Sequence, residues 1–186
     1  MSISQVDDER LVERAREGST AAFGELVERH QQAAYRAAVA ILGRHADAED
    51  AVQDAFVTAY SRLGEFRGAS SFRTWVLTIT WRTALNHRRR LSWWVKRLVD
   101  PPQEPVSPHP SPESSATDMQ RGAAMQTEIR RLSPKLRDAL LLAAGGDCTY
   151  ADLAVILGVP VGTVKWRVAE ARRQVRARLE AQGHAF

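Results

Sequence analysis

Cys148 is the only thiol in this chain, so no intrachain disulfide can form and no paired spacing offers a thiolate metal site. Such sparing use of cysteine fits a reducing compartment. Long apolar runs are also missing: the best, Ala139–Ala144, falls far short of the roughly 20 residues of a membrane span. The start, Met1 to Asp8, carries acids in place of a basic segment leading into an apolar one. A soluble, unexported, cytoplasmic protein is expected. Strand signals are nearly absent, because β-branched residues seldom alternate with polar ones and no Asn-Gly or Asp-Gly turn joins two apolar runs. The five histidines, His30, His45, His87, His109 and His184, are scattered without ligand spacing. Neither a nucleophile elbow nor a phosphate-binding glycine loop occurs. No metal, no cofactor and no catalytic residue is expected, and the chain is not read as an enzyme.

Proline is scarce except in one place. Six of the eight prolines fall within residues 101–112, and Pro, Ser and acidic residues dominate on to Asp118. That composition resists helix formation and cannot bury apolar surface. A linker is therefore expected over 96–127, joining an N-terminal helical domain, 1–95, to a C-terminal one, 128–186. Charge follows the same division. Residues 1–60 carry six basic and eleven acidic side chains, 61–98 nine and one, 99–127 one and four, and 128–186 ten and six. Two basic regions around an acidic connector suggest two contacts with a polyanion, with the acidic N-terminal part turned to something else. Solvated helix faces would give the same counts.

What is abundant is helical period, and the fold class expected is all-α. Ser19 can cap a helix through Phe23, Leu26, Val27, Tyr35, Ala38 and Ile41 that stops near Gly43. A second is expected from Asp47, burying Ala51, Val52, Ala55, Phe56, Ala59, Tyr60 and Leu63, with Glu49, Asp50, Gln53 and Asp54 on its other face. A third begins after Ser70 or Ser71, presents Phe72, Trp75, Val76 and Ile79 as a core stripe, and ends in Arg88–Arg90. Trp81 lies off that stripe and is a candidate for stacking on a base.

In the C-terminal part, Ser133-Pro134 opens a helix that Gly145-Gly146 breaks. Thr149, with Asp152 three residues on, caps a short helix ended by Gly158. After Pro160 a longer helix is expected from about Val161 to Leu179, with Val161, Val164, Val168, Ala171, Val175 and Leu179 on one face. Thr163, Lys165, Trp166, Arg167, Glu170 and Arg173 lie on the other. A short helix, a glycine turn and a longer basic helix form a helix-turn-helix, which lays its second helix in the major groove of duplex DNA. A three-helix bundle with a solvated basic face has the same spacing.

At Tyr150-Ala-Asp-Leu-Ala-Val-Ile-Leu-Gly-Val-Pro-Val-Gly-Thr-Val-Lys-Trp-Arg167 the chain resembles region 4 of extracytoplasmic-function sigma factors. Independently, Asp47-Ala-Glu-Asp-Ala-Val-Gln-Asp-Ala-Phe56 resembles region 2.2 of that family. Phe66-Arg-Gly and Phe72-Arg-Thr-Trp-Val-Leu-Thr-Ile79 resemble regions 2.3 and 2.4, and the matches stand in family order. The resemblance implies that the first domain binds core RNA polymerase and opens the minus-10 element, while the second reads the minus-35 element as duplex. It implies an anti-sigma factor as a further partner.

On that basis Asp47, Glu49, Asp50, Gln53 and Asp54 are the candidate polymerase edge. Arg67, Ser70, Ser71, Arg73, Trp81, Arg82, Arg88 and Arg89 are the candidate minus-10 contacts, the small residues of the loop from Glu65 to Ser71 leaving room for a flipped base. Thr163, Lys165, Trp166, Arg167, Glu170 and Arg173 are the candidate minus-35 contacts. Arg82 stands where the family often has asparagine, Trp166 replaces the usual serine, and Glu170 lies where many members carry a basic residue. A carboxylate there would repel phosphate yet could accept a hydrogen bond from a cytosine amino group. Trp93, Trp94 and Cys148 receive no role. A different helix-turn-helix regulator would explain only the C-terminal part, and a hydrolase using the acids near Asp47 would compete with their capping and binding roles.

Overall fold

The computed structural model describes residues 3–95, 116–146 and 148–183, which hold eight α-helices, a single 3-10 turn and no strand. The chain divides into two compact units, Met1–Glu104 and Pro105–Phe186.

In the first unit the helices are α1 (Ile3–Arg16), α2 (Thr20–Leu42), α3 (His45–Ser61) and α4 (Phe72–Val95), with the 3-10 turn at Leu63–Glu65. The bounds of α2 follow from its ends: Ser19 Oγ accepts from Ala22 N–H at 3.3 Å, and Gly43 closes the helix in the left-handed conformation at φ 71°. The start of α3 corrects the sequence expectation. It begins two residues before Asp47, Arg44 takes the cap position, and Asp47 sits in the first turn, 3.5 Å from the Arg44 guanidinium. An acid in a first turn is favourable through the helix dipole whether or not it caps.

Helices α2, α3 and α4 pack on one another, and alanine allows them to come close: Ala34, Ala38, Ala48, Ala51, Ala55, Ala59 and Ala84 are wholly buried. Val52 is only half-buried and Tyr60 is exposed, against expectation. Because α4 is covered from two sides, its buried surface is wider than one stripe and takes in Leu77, Thr80 and Trp81. The buried Thr80 hydroxyl is satisfied by the Val76 carbonyl at 2.9 Å. Nor does α4 end at the arginine run; its backbone continues to Val95 and so carries Trp93 and Trp94. Helix α1 was not anticipated. It docks on α2 through Asp8, which accepts from His30 Nε2 at 2.8 Å and from Arg29 Nη1 at 3.2 Å.

The second unit comprises α5 (Ala116–Arg130), α6 (Pro134–Ala144), α7 (Tyr150–Leu157) and α8 (Val161–Ala181). Helix α5 corrects the expected linker, whose first part, 96–115, lies outside the described residues while 116–127 is helical. Good helix formers such as Ala123, Ala124, Met125 and Gln126 follow the prolines and outweigh the polar composition before them. Leu132, Leu136, Ala171, Val175 and Leu179 form a core into which Ala124, Ile129 and Leu140 pack. Beside it Glu128 is buried at 1% exposure, accepting from Arg131 at 2.7 Å and from Gln182 at 2.8 Å.

Candidate functional site

The five candidates on α3 do not all share one edge. Asp47 is half-buried against Arg44, while Glu49, Asp50, Gln53 and Asp54 are exposed. Asp54 faces α4, where its Oδ2 meets His87 Nε2 at 2.9 Å. Glu49 and Gln53 instead border a groove of about 910 Å³ between α2 and α3, floored by Phe23, Val27, Phe56 and the exposed Val57 and Tyr60. Acidic and amide groups therefore rim an apolar trough, a combination that suits a protein helix with basic and apolar side chains. A second apolar groove of about 650 Å³, with Met125, Ile129 and Leu141 inside and Arg172 and Arg176 among its lining, lies in the C-terminal unit. Sequence periodicity missed both, since a groove forms where neighbouring helices leave an apolar strip uncovered.

Between Phe66 and Phe72 the chain turns through Gly68, whose φ of 69° is the left-handed conformation that glycine adopts without strain. Ser71 ends this loop by capping α4: its Oγ accepts from Thr74 N–H at 3.1 Å. Arg67 is exposed and Ser70 half-buried. Arg82 and Arg89 are exposed on one side of α4, seven residues and so nearly two turns apart, with Arg88 half-buried beside them. Arg73 does not join them. It lies half a turn out of phase, and its charge acts on His30, which places it towards α2.

Trp81 departs from the place expected of it, while Trp75 packs on core rings but keeps a partly open face. Trp81 is 6% exposed and belongs to the core, so it offers no stacking surface. Trp75 is half-buried, with its ring 5.3 Å from Phe66 and 5.7 Å from Phe72. A residue missed by sequence reasoning supports the same loop: Arg16 donates from Nε to the Leu63 carbonyl at 3.2 Å and from Nη2 to the Phe66 carbonyl, and its guanidinium lies over the Phe66 ring. No local pattern reports a contact across fifty positions.

In the C-terminal unit, Thr149 and Asp152 form a reciprocal capping box, and Gly158 ends α7 in the left-handed conformation at φ 64°. Pro160 then begins α8 with an extended entry. The buried stripe of α8 is Val164, Val168, Ala171, Val175 and Leu179; Val161, expected in it, is 38% exposed. Lys165, Trp166 and Arg173 are exposed, and Thr163, Arg167 and Glu170 half-buried. Both Glu170 oxygens are engaged, accepting from Arg173 Nη2 at 2.7 Å and Nε at 2.9 Å, and from Gln174 at 2.7 Å. These hydrogen bonds hold the Glu170 carboxyl below its ordinary pKa and raise that of Arg173. The carboxylate thus takes three hydrogen bonds from its own helix and lies paired with the charge of Arg173.

Among the described residues no group of three or more His, Cys, Asp or Glu side chains could hold a metal ion, and no helix is long and apolar enough to cross a membrane. Cys148 is half-buried ahead of α7.

Known proteins resemble the chain in both units. Residues 26–94 match the family Sigma-70 region 2, and residues 123–175 match Sigma-70, region 4. The RNA polymerase sigma-H factor of Pseudomonas aeruginosa is 32% identical, the match covering 96% of each chain. The ECF RNA polymerase sigma-E factor of Escherichia coli is 32% identical over 92% of this chain and 93% of its own. Among solved structures, CnrH in complex with the cytosolic domain of CnrY gives a TM-score of 0.68 at 27% identity, covering 94% of this chain and 98% of that one. The sigma factor RpoE of Bartonella quintana, in complex with the anti-sigma factor NepR, gives 0.63 at 26% identity, covering 85% and 96%. The chain belongs to the sigma-70 family, as an extracytoplasmic-function RNA polymerase sigma factor.

Proposed function

We propose that the protein works in the cytoplasm, without catalysis of its own, by bringing core RNA polymerase to a set of promoters through a division of labour between its units. Residues 1–95 bind polymerase and open the minus-10 element, 96–127 connect, and 128–186 read the minus-35 element. The observation that carries this is the separation of two surface chemistries: an acid-rimmed apolar trough on α3 that duplex DNA would repel, and basic faces on α4 and α8 that it would attract.

Asp47, Glu49, Asp50, Gln53 and Asp54 form the polymerase contact, extended by the groove beside Val57 and Tyr60. Arg67, Arg82, Arg88 and Arg89 hold phosphates along the opening strand, and Ser70 and Ser71 line the loop that receives an unstacked base. Arg73 and Trp81 support this surface from behind. Thr163, Lys165, Trp166 and Arg167 meet the duplex, with Glu170 and Arg173 as a coupled pair. The similar RpoE structure, in complex with the anti-sigma factor NepR, supports a dedicated anti-sigma factor here as well, covering these same surfaces.

Mapping transcription start sites with purified core polymerase and this chain tests the whole assignment. Defined starts with shared upstream elements are expected. A regulator of another kind gives no starts unless a second sigma factor is added.

A further inference from the structure

Trp166 leaves 63% of its surface exposed, the most of any aromatic ring among the exposed large hydrophobic residues, and it stands beside the exposed Lys165. Its place on α8 narrows what it faces. Two positions from both Val164 and Val168, it stands roughly opposite the buried stripe at about 100° per residue. Arg173, seven residues on, shares that pole, and Gly162, one turn back, has nothing within 4 Å of where a Cβ would stand. The indole thus projects from the N-terminal half of a helix with six basic and two acidic residues, the portion a helix-turn-helix turns to base edges.

We propose that Trp166 is a specificity-determining residue that recognises a thymine by its C5-methyl group in the duplex upstream element. The inference rests on the helix-turn-helix reading of the C-terminal unit. In the major groove guanine, adenine and cytosine present donors and acceptors, and the thymine methyl is the apolar feature. Indole has one donor, no acceptor and a broad apolar face, so the methyl is the feature it matches best. Lys165 next to it supplies a charge for phosphate, and the Glu170 carboxylate is engaged by Arg173 and Gln174 on its own helix.

Deoxyuridine removes that methyl and nothing else. The test replaces each thymine of a mapped minus-35 element by deoxyuridine in turn and measures binding by holoenzyme carrying the full chain, either wild type or Trp166→Ala. One position should cost the wild type about fourfold in affinity, the worth of one buried methyl, and cost Trp166→Ala nothing. Two results overturn the proposal: a wild type indifferent to every replacement, which needs no variant, or the same sensitivity in both proteins. If Trp166→Ala loses a protein partner while keeping wild-type methyl sensitivity, the side chain serves a protein interface and the proposal also falls. A holoenzyme that starts transcription but leaves the upstream duplex unprotected overturns the helix-turn-helix reading itself, whereas protection without methyl dependence sinks only the role of Trp166.

Discussion

His30 and Glu128 are the ionisable side chains whose burial carries the clearest consequences. His30 is 8% exposed, and burial pushes its pKa below the ordinary 6.5 despite the Asp8 carboxylate beside it, with Arg73 and Arg29 adding to the depression. The folded protein therefore binds a proton at His30 less readily than the unfolded chain, so the contribution of His30 to stability is fully present above pH 6.5 and is lost as the pH falls through and below that value. Denaturant midpoints of the N-terminal unit should drop on acidification, and the drop should shrink in His30→Gln, which keeps an N–H for Asp8 but does not titrate. Equal drops in both proteins would refute this. At Glu128, Ala would remove the carboxylate that accepts from Arg131 and Gln182 and break the link from α5 to the end of α8. The expected loss is about 2–3 kcal/mol, read as faster hydrogen exchange along α8. Glu128→Gln, which keeps an acceptor, should lose less.

At the level of elements, α1 is the part whose role the tertiary contacts define. Its last residue, Arg16, holds the Leu63 and Phe66 carbonyls at the entrance to the loop before α4. Arg16→Ala should slow promoter opening by roughly tenfold, since two hydrogen bonds from a charged donor are worth at least 1.4 kcal/mol together. Affinity for core polymerase should not change. Permanganate reactivity of promoter thymines separates the two, and unaltered opening would leave Arg16 as a purely structural contact. The ends of α2, α7 and α8 were legible because their signals are local: Ser19 and Gly43, Thr149 and Gly158, Pro160. The Glu170–Arg173 pair was equally legible, lying three residues apart on one helix, yet a carboxylate read alone suggested a cytosine contact. Helix α5 was obscured by the proline-rich segment before it, whose composition weighed more than the alanines after it.

For the whole molecule, the alternation of acidic and basic segments underlies the proposed separation of partners. Reversing Asp50 to Lys should weaken core polymerase binding by about tenfold or more, since like charges juxtaposed across an interface cost several kcal/mol, while thermal unfolding stays unchanged. Unchanged affinity would remove α3 from the polymerase contact. Lys165→Ala should weaken promoter binding nearly uniformly across sequences and lower the salt slope by about 1. A sequence-dependent loss would mean that Lys165 reads a base.

Helix content, the capped ends of α2 and α7, the two chemistries and the exposed face of α8 all follow from the chain read in order, because caps and a 3.6-residue period act within one or two turns. Which of Trp75 and Trp81 is the more buried, how α1 is anchored, where the apolar grooves open and how Arg73 parts from Arg82 follow only from assembly. Asp8 meets His30 and Arg16 meets Phe66 across 22 and 50 positions, and Trp81 is buried because helices flank α4 on two sides. The helix-turn-helix of the C-terminal unit could thus be foreseen from local rules, whereas the proposed melting surface of the N-terminal unit depends on contacts that no local period records.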